Sequence, residues 1–414
     1  MDYDVIVVGG GAAGLMAACT AAERGRHVLL LEKMDQAGRK LRITGKGRCN
    51  LTNTNPLRDT LQHIGSDARF LRNAYGRFFN RELMQWFEDR GVPLTVERGN
   101  RVYPTSGKAL DIFLALIGEL EQSSNVTIRK NTTVKSIETF EGQATAVILE
   151  RGERIPCRHI ILATGGLSYP TTGSTGVGHR IARELGHTVV EPIPSLVALK
   201  CEEKIPEELV AFQLKNVQLT VIDGQANTPI FKSGIGEMTF ADDGIAGPIV
   251  LSASRAATRP LHEGHTIKAI LDLKPGLTPE QLDKRLQADL AANGTRIFND
   301  ALRLWLPAEL IPLALKQLHI EYYKRLNQIN GDERRRLGRW LKGVEFNITG
   351  THGWTEAVAT QGGVALGEVN PKTMESRIVK GLYMAGELLD LDADTGGYNL
   401  QIAFSTGHAA GEAV

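Results

Sequence analysis

Cysteine is scarce: four residues in 414, at positions 19, 49, 157 and 201, with no Cys-x-x-Cys pair. That spacing argues against a disulfide framework and a cysteine-built zinc site, and it fits a reducing cytoplasm. An excess of charge of one sign is also missing. Lys+Arg 48 against Asp+Glu 47 leaves a formal +1. No global field therefore draws the chain to nucleic acid or an anionic membrane. No apolar run approaches the roughly 18 residues of a membrane span. The opening Met1-Asp2-Tyr3-Asp4 is acidic and runs straight into a strand, which speaks against a signal peptide. Glycine is in excess, at 44 residues, and clustered glycine marks backbone that must approach something closely. With 42% hydrophobic and 23% charged residues, the chain is globular and long enough for two or three domains.

The run Val5-Ile6-Val7-Val8 reads as a buried parallel strand. Gly9-Gly10-Gly11-Ala12-Ala13-Gly14 follows, then an alanine-rich helix over 15–24 and a second strand ending at Glu32. Residues 57–125 read as mainly helical, with breaks at Pro93 and Pro104. Segments 126–137 and 144–150 alternate as a hairpin meander, and 159–164 is another buried strand. From about 191, short β-like runs at 195–201, 216–223, 235–241 and 265–273 suggest a small barrel or sandwich. Thr278-Pro279-Glu280-Gln281 carries a capping box, and helical patterns then run to about 343. A last helix is expected over 401–412. The layout is nested: an α/β, Rossmann-like domain from residues 1–190 and 351–414 is interrupted by a β-barrel-like piece, 191–274, and a helical piece, 275–350.

Gly9-x-Gly11-x-x-Gly14 is a weak signal alone. Here it follows a strand, opens a helix, and precedes an acidic residue, Glu32, at the end of the next strand. Gly9 suits the tight turn, Gly11 lets backbone approach a pyrophosphate, and Gly14 lets helix and strand pack closely. The helix N-terminus offers N–H groups to the phosphates, and Glu32 suits ribose hydroxyls. Two distant segments point to a longer ligand than a nicotinamide dinucleotide: Ala163-Thr164-Gly165-Gly166 at a strand end, and Gly381 to Glu387 leading to a second acid. That pairing suits FAD, with Glu32 on the adenosine ribose and Glu387 on the ribityl chain.

The stretch 37–53 carries five cations (Arg39, Lys40, Arg42, Lys46, Arg48) and no acid. A solvated or RNA-contacting loop is one interpretation. The glycines and the small polar Thr44, Asn50, Thr52 and Asn53 favour a loop wrapped around a pyrophosphate and flavin. Cys49 reads as a buried small residue rather than a redox thiol.

On these motifs the chain resembles the flavoproteins labelled NAD(FAD)-utilizing dehydrogenases or aminoacetone-oxidase-family FAD-binding enzymes, which include bile-acid 4,6-reductase-like members. The matching residues are Gly9–Gly14, Gly38-Arg39-Lys40, Gly45-x-Gly47-Arg48-Cys49-Asn50-x-Thr52-Asn53, and Ala163 to Gly166 with Tyr169-Pro170-x-Thr172-Gly173. They continue with Gly362-Gly363-Val364, Met374-Glu375-Ser376, Gly381 to Glu387, and Asp394 to Gln401. The resemblance implies an FAD domain interrupted by barrel-like and helical pieces. Relatives carry a Thr-His-x-Gly-Leu-Ser-Gly-Pro-like segment where this chain has Ala241-Asp242-Asp243-Gly244-Ile245-Ala246-Gly247-Pro248. A histidine is replaced by an acid there.

Gly396-Gly397-Tyr398-Asn399-Leu400-Gln401 precedes the last helix. N–H groups around 399–401 would face the flavin edge where negative charge collects on reduction, and Asn399 also reads as an ordinary N-cap. Asp390, Asp392 and Asp394 read as a solvated loop, and no metal site is expected. The cofactor is thus expected against Gly9, Gly11, Ala13, Gly14, Glu32, Lys33, Arg39, Lys40, Thr44, Gly45, Gly47, Arg48, Cys49 and Asn50. The set continues through Val134, Ala163, Thr164, Gly165, Gly386, Glu387, Gly397, Asn399, Leu400 and Gln401. Ala359 stands where fumarate-reductase-like flavoproteins carry a histidine, which argues against fumarate chemistry. Arg48, Tyr169 and His352 are the candidates for substrate polarisation or proton transfer.

The expected activity is hydride transfer through flavin N5, reducing a C=C bond of a small-molecule or nucleobase substrate, with NAD(P)H as donor. The resemblance also admits amine oxidation and reduction of a uracil ring in ribosomal RNA. For RNA the motive is the 39–48 loop plus Arg334-Arg335-Arg336 with Trp340 available for stacking. A non-catalytic flavin-binding sensor is the alternative outside enzymology.

Overall fold

The computed structural model describes residues 3–65 and 67–414, so Met1 and Asp2 of the acidic start lie outside the described residues. The chain divides into two compact units, one of residues 3–195 and 354–414, the other the continuous stretch Leu196–Gly353.

The first unit is built on strands β1 (Val5–Val8), β2 (Val28–Leu31), β3 (Val126–Arg129), β4 (His159–Leu162) and β5 (Leu382–Met384). They form one parallel sheet in the order β5-β4-β1-β2-β3, with Val5 level with both His159 and Val28. Every residue of β1 and β2 is buried, which is why these strands read as unbroken apolar runs. From β1 the chain builds β2 and β3 to one side; β4 and β5 fill the other. The order reverses at β1, and ligands of open parallel sheets bind beyond the carboxyl ends at such a point.

Helix α1 (Ala12–Glu23) follows β1, α2 (Arg39–Ile43) follows β2, and α3 (Ala109–Gln122) precedes β3. The closing helix α4 (Tyr398–Ala413) lies against α1 at close range. A Cβ at Gly407 would stand 2.3 Å from the Ala13 carbonyl oxygen, and one at Gly411 2.5 Å from that of Ala17. Only glycine allows this approach.

Residues 57–125 are mainly helical, and the breaks around Pro93 and Pro104 hold strands: Leu94–Glu97 and Arg101–Pro104 form an antiparallel pair, extended by Thr52–Asn53. The 101–104 strand buries Val102 and Tyr103 and ends at its proline, which closes strands as readily as it breaks helices. One expectation for this unit needs correction. Residues 126–129 leave the meander to become β3. Asn131, at φ 52°, turns the chain, and the hairpin proper is Val134–Phe140 with Gln143–Leu149. Residues 131–134 run beside the end of β2, where Thr132 N–H donates to the Glu32 carbonyl and Asn131 N–H to that of Met34.

In the second unit, Gln213–Asp223 pairs with Gly236–Ala241 and with Ile267–Asp272. The ring continues through Gly244–Ala246, Leu199–Cys201 and Val344–Thr351 back to Ile267–Asp272. The β-runs therefore close into an antiparallel barrel rather than a sandwich, which removes sheet edges. The helix Pro248–His262 was not expected from the sequence. Its Val250, Ala253 and Ala257 are buried at helical spacing, and Pro260 lies only in its last turn. Helices Pro279–Ala292, Ile311–Leu318 and Gly331–Lys342 follow. The Thr278 box forms, with Gln281 N–H on Thr278 Oγ1 at 3.2 Å and the reciprocal bond at 2.9 Å.

Among the described residues no helix is long and apolar enough to cross a membrane.

Candidate active site

The carboxyl ends of the parallel strands gather most of the expected residues. Gly9 leaves β1 at φ 103°, and a Cβ there would lie 2.5 Å from the Ala163 carbonyl oxygen at the end of β4. A Cβ on Gly14 would lie 1.8 Å from the Gly9 carbonyl oxygen. Both glycines are explained by packing within the protein. Gly11 is not. Its backbone is extended (φ −82°, ψ −172°), which any residue adopts, and a Cβ there would meet nothing within 4 Å. Neither conformation nor packing requires glycine, so the space over Gly11, at the start of α1, is free for a ligand's phosphate to approach.

Glu32 is buried at the end of β2. Its carboxylate accepts Gly10 N–H at 2.8 Å and Met34 N–H at 2.8 Å. These bonds aim the group and leave further lone pairs for hydroxyl donors. Lys33 reaches Thr175 Oγ1 at 2.7 Å. Val134 is buried at the start of its hairpin. Thr164 Oγ1, just past β4, is buried with no hydrogen-bond partner among the described residues. A ligand hydroxyl or phosphate would satisfy it.

Gly386 and Glu387 follow β5. The Glu387 carboxylate accepts Lys40 Nζ at 2.8 Å, Ser168 Oγ at 2.7 Å and Thr360 N–H at 2.8 Å. Lys40 Nζ also reaches Ser168 Oγ at 2.6 Å. Burial alone would raise the Glu387 carboxyl, but the charge and bond of Lys40, with the Ser168 and Thr360 bonds, outweigh it and hold the group below the ordinary value. Ser168 and Thr360 were absent from the expected set. Their signal was positional, since each stands within two residues of a glycine pair that had been singled out.

The basic motif and the Gly-Gly-Tyr-Asn segment meet. The Asn50 amide lies against Thr52 O (3.2 Å) and Gly397 N (3.1 Å), and bonds both when its nitrogen faces Thr52. Thr52 Oγ1 bonds the Gln401 side chain, and Asn53 Nδ2 donates to the Gly396 carbonyl at 3.2 Å. Gly397, at φ 98°, sits so close to Thr52 that a Cβ would fall 2.4 Å from its carbonyl oxygen. Helix α4 begins one residue beyond Gly397, so Asn399 is not its N-cap. Its side chain instead bonds Ala393 N–H (3.0 Å) and O (2.8 Å), bracing the preceding loop, while Leu400 packs against the core. Within that loop Asp392 accepts Ser195 Oγ at 3.1 Å, and Asp394 accepts from His63, whose ring stacks on Tyr398.

Thr44 and Gly45 begin the loop after α2, and Gly47 carries φ 84°. Cys49 is fully buried, and that burial pushes its thiol up to about 12, against a Thr44 bond that lowers it. It has no thiolate to offer a substrate near neutrality. All four cysteines are free. Arg39 pairs with Asp35 at 2.5 Å. Arg48 is exposed, pairs with Glu97 and lies over the Tyr103 ring, 4.3 Å from its centroid.

Each of the three reactive candidates has a partner of its own. Arg48 is engaged by Glu97, and Tyr169, at φ 49°, starts the turn 170–172 with its N–H on the Trp354 carbonyl. His352 belongs to the second unit, where its Nε2 lies 2.8 Å from Asp243 Oδ1. Lys200 takes the other oxygen of Asp243 at 3.1 Å. The acid of the unusual 241–248 loop is therefore a histidine partner. The proposed stacking surface is also overturned. Trp340 is buried with Nε1 on Gln317 Oε1 at 2.7 Å. Arg334 is held by Asp283, Arg335 by Asp332, and Arg336 by the Leu318 and His319 carbonyls. An aromatic on the apolar stripe of an amphipathic helix faces the core.

A family model described as HI0933-like protein Rossmann domain matches residues 3–413. The chain is 34% identical over 410 residues to 3-dehydro-bile acid delta(4,6)-reductase of Clostridium scindens, covering 98% of each. It is 29% identical over 410 residues to ribosomal RNA dihydrouridine synthase of Escherichia coli, covering 99% of this chain and 97% of that one. Two solved structures share the fold. One is a quinol–fumarate reductase with menaquinol molecules (TM-score 0.51, 16% identity, 99% of this chain and 70% of that one). The other is 3-ketosteroid delta1-dehydrogenase from Sterolibacterium denitrificans (TM-score 0.50, 13% identity, 99% and 98%). The strand-end glycine turn, the acids Glu32 and Glu387 at two strand ends and the match along nearly the whole length agree: this chain belongs to the HI0933-like family of FAD-binding Rossmann proteins and is an FAD-dependent oxidoreductase.

Proposed function

We propose that the protein reduces a carbon–carbon double bond conjugated to a carbonyl in a small-molecule substrate, with NAD(P)H as electron donor. Bound FAD would supply the two-electron hydride relay that no protein side chain provides. The residues we assign to hold it are the 9–14 turn, Glu32, Lys40, Asn50, Ala163 to Gly165, Glu387 and the start of α4. Glu32 accepts from ribose hydroxyls, the turn and the N-terminus of α1 receive the pyrophosphate, and the N-terminus of α4 faces negative charge. Reduction of the double bond adds hydride to one carbon and a proton to its neighbour. The proton must come from an acid of the chain or from water.

The observation that carries this reading is Gly11, a glycine with no internal cause, at the switch point of the sheet. The relatives support the reaction class: one is named a bile acid delta(4,6)-reductase and the other a dihydrouridine synthase, and both names denote saturation of a C=C bond. A uracil ring of RNA presents the same bond chemistry and is the second substrate to test.

The experiment is a spectrum of the purified protein, then anaerobic mixing with NADH and NADPH, then a screen of enone steroids, amines and ribosomal RNA. Flavin bands near about 375 and 450 nm, bleached by a nicotinamide and restored by an enone, are expected. Absence of the bands with no gain on adding FAD defeats the reading. Bands restored by no unsaturated substrate, with amine turnover instead, replace it by oxidation.

A further inference from the structure

A cleft of about 560 Å³ opens beside the expected cofactor residues, between α2, its following loop, the start of α3 and the turn at 170–172. Small-molecule sites run about 300–1,000 Å³. Three cations line it, Arg39, Arg42 and Lys108, and no acidic side chain does. Arg39 is neutralised by Asp35. Arg42 bonds the neutral Gln36, with its guanidinium 5.7 Å from the Phe113 ring centroid, so its charge stays uncompensated. No ion pair of Lys108 is formed among the described residues, and its side chain is exposed.

The same cleft has apolar edges. Ile43 is 47% exposed and Leu110 40% exposed. Thr171 and Thr172 complete the lining with hydroxyl groups. Two uncompensated cations beside two exposed aliphatic side chains suit a ligand with a phosphate at one end and a flat ring at the other. Arg39 and Gly47 are the members of the expected cofactor set that line the cleft; the strand-end residues Gly9, Gly11, Glu32, Ala163 and Glu387 do not.

We infer that this cleft is a second nucleotide site, which takes the phosphate-bearing adenosine end of the reduced nicotinamide donor and favours the donor with an added 2′-phosphate. The role of that nucleotide rests on the proposed oxidoreductase reading; its binding does not.

The test uses the protein as purified and adenosine 2′,5′-bisphosphate as probe, titrated by calorimetry. Saturable binding is expected, weakened about tenfold or more by R42E and by K108E, with flavin absorbance per protein unchanged. With NADPH, the concentration giving half-maximal flavin reduction should rise in both variants while the limiting rate holds. Both side chains lie at the surface, and R42Q and K108Q replace the reversals should circular dichroism show misfolding. No saturable binding at about 1 mM, or equal binding by wild type and variants, overturns the site. Loss of flavin from the variants also overturns it, assigning the cleft to the cofactor. So does displacement of the probe by a short RNA at lower concentration than by NADPH, which hands the cleft to nucleic acid. Protein that lacks flavin yet binds the probe refutes the oxidoreductase reading alone.

Discussion

Lys40 donates to Glu387 at 2.8 Å although 347 positions separate them in the chain. Each side chain is about three-quarters buried, at 24% and 23% exposure. Lys40→Met should therefore leave a buried carboxylate unpaired and cost roughly 3 kcal/mol, read from urea melts. Glu387→Gln sets an amide NH2 among groups that all donate to Glu387 and leaves Lys40 without its counter-charge, so a comparable cost is expected. The pair also sets a pH dependence. Because the folded-state Glu387 carboxyl is held low, its contribution is present above the ordinary glutamate range and is lost as pH falls through the lower folded value. In E387Q the acid limb of the stability curve should flatten; an unchanged limb would show that Glu387 does not control it.

Two glycines of one turn should behave in opposite ways. Gly14→Ala forces a Cβ against the Gly9 carbonyl and should cost roughly 2–4 kcal/mol. Gly11→Ala has open space and relaxed backbone, so folding should change by less than about 1 kcal/mol. FAD affinity should nonetheless fall about tenfold or more, because the methyl group occupies the phosphate's approach. Dialysis against graded FAD, with a parallel melt, reads both effects. Full FAD affinity in G11A would remove the main support for the assigned pyrophosphate position.

Much of this site was legible in the residues themselves, and the limits have physical causes. Strands β1, β2 and β4 are buried on both faces, so their apolar runs announce them, and the glycines between them point to the ligand edge. Segments Leu94–Glu97 and Arg101–Pro104 are four residues each, and the first has no buried residue, which leaves little pattern to read. Helix Pro248–His262 hid behind its prolines. Side-chain partners such as Ser168 and Thr360 depend on how distant segments meet, which no local period encodes. Asn399 looked like an N-cap because its residue type suits one, yet Gly397 took the position and the amide turned to brace residue 393.

Gln401 is buried with its amide shared between Thr52 and Ser405. Gln401→Leu preserves volume but leaves the buried Thr52 hydroxyl without its acceptor, while Ser405 keeps its bond to the Phe78 carbonyl, at a cost of about 1–3 kcal/mol. The damage should spread to the Asn50–Gly397 junction and reduce FAD retention on gel filtration. Wild-type retention in Q401L would show that the two motifs hold together without it.

His187 is wholly buried, with Nδ1 on Glu368 Oε2 at 3.1 Å and Nε2 on Ser376 Oγ at 2.8 Å. Desolvation lowers its pKa below the ordinary value, and Glu368 opposes this only in part. The unfolded chain then binds the proton more readily, so stability falls as pH drops below the unfolded-state value near about 6.5. The gap in melting temperature between wild type and His187→Asn should narrow from pH 7.5 to pH 5.5, values chosen at about one unit on either side. A gap that widens on acidification would reverse the sign and refute the assignment.

The edge strand β5 and the helix that closes on α1 are the last parts of the sheet's unit to be synthesised, after the whole of Leu196–Gly353. On the ribosome, the barrel can finish folding while β4 still lacks its neighbour and α1 its cover. The nucleotide-binding half therefore waits, with an open hydrogen-bonding edge, for residues 382–413, and removing those residues would uncover α1 just beyond the first glycine turn.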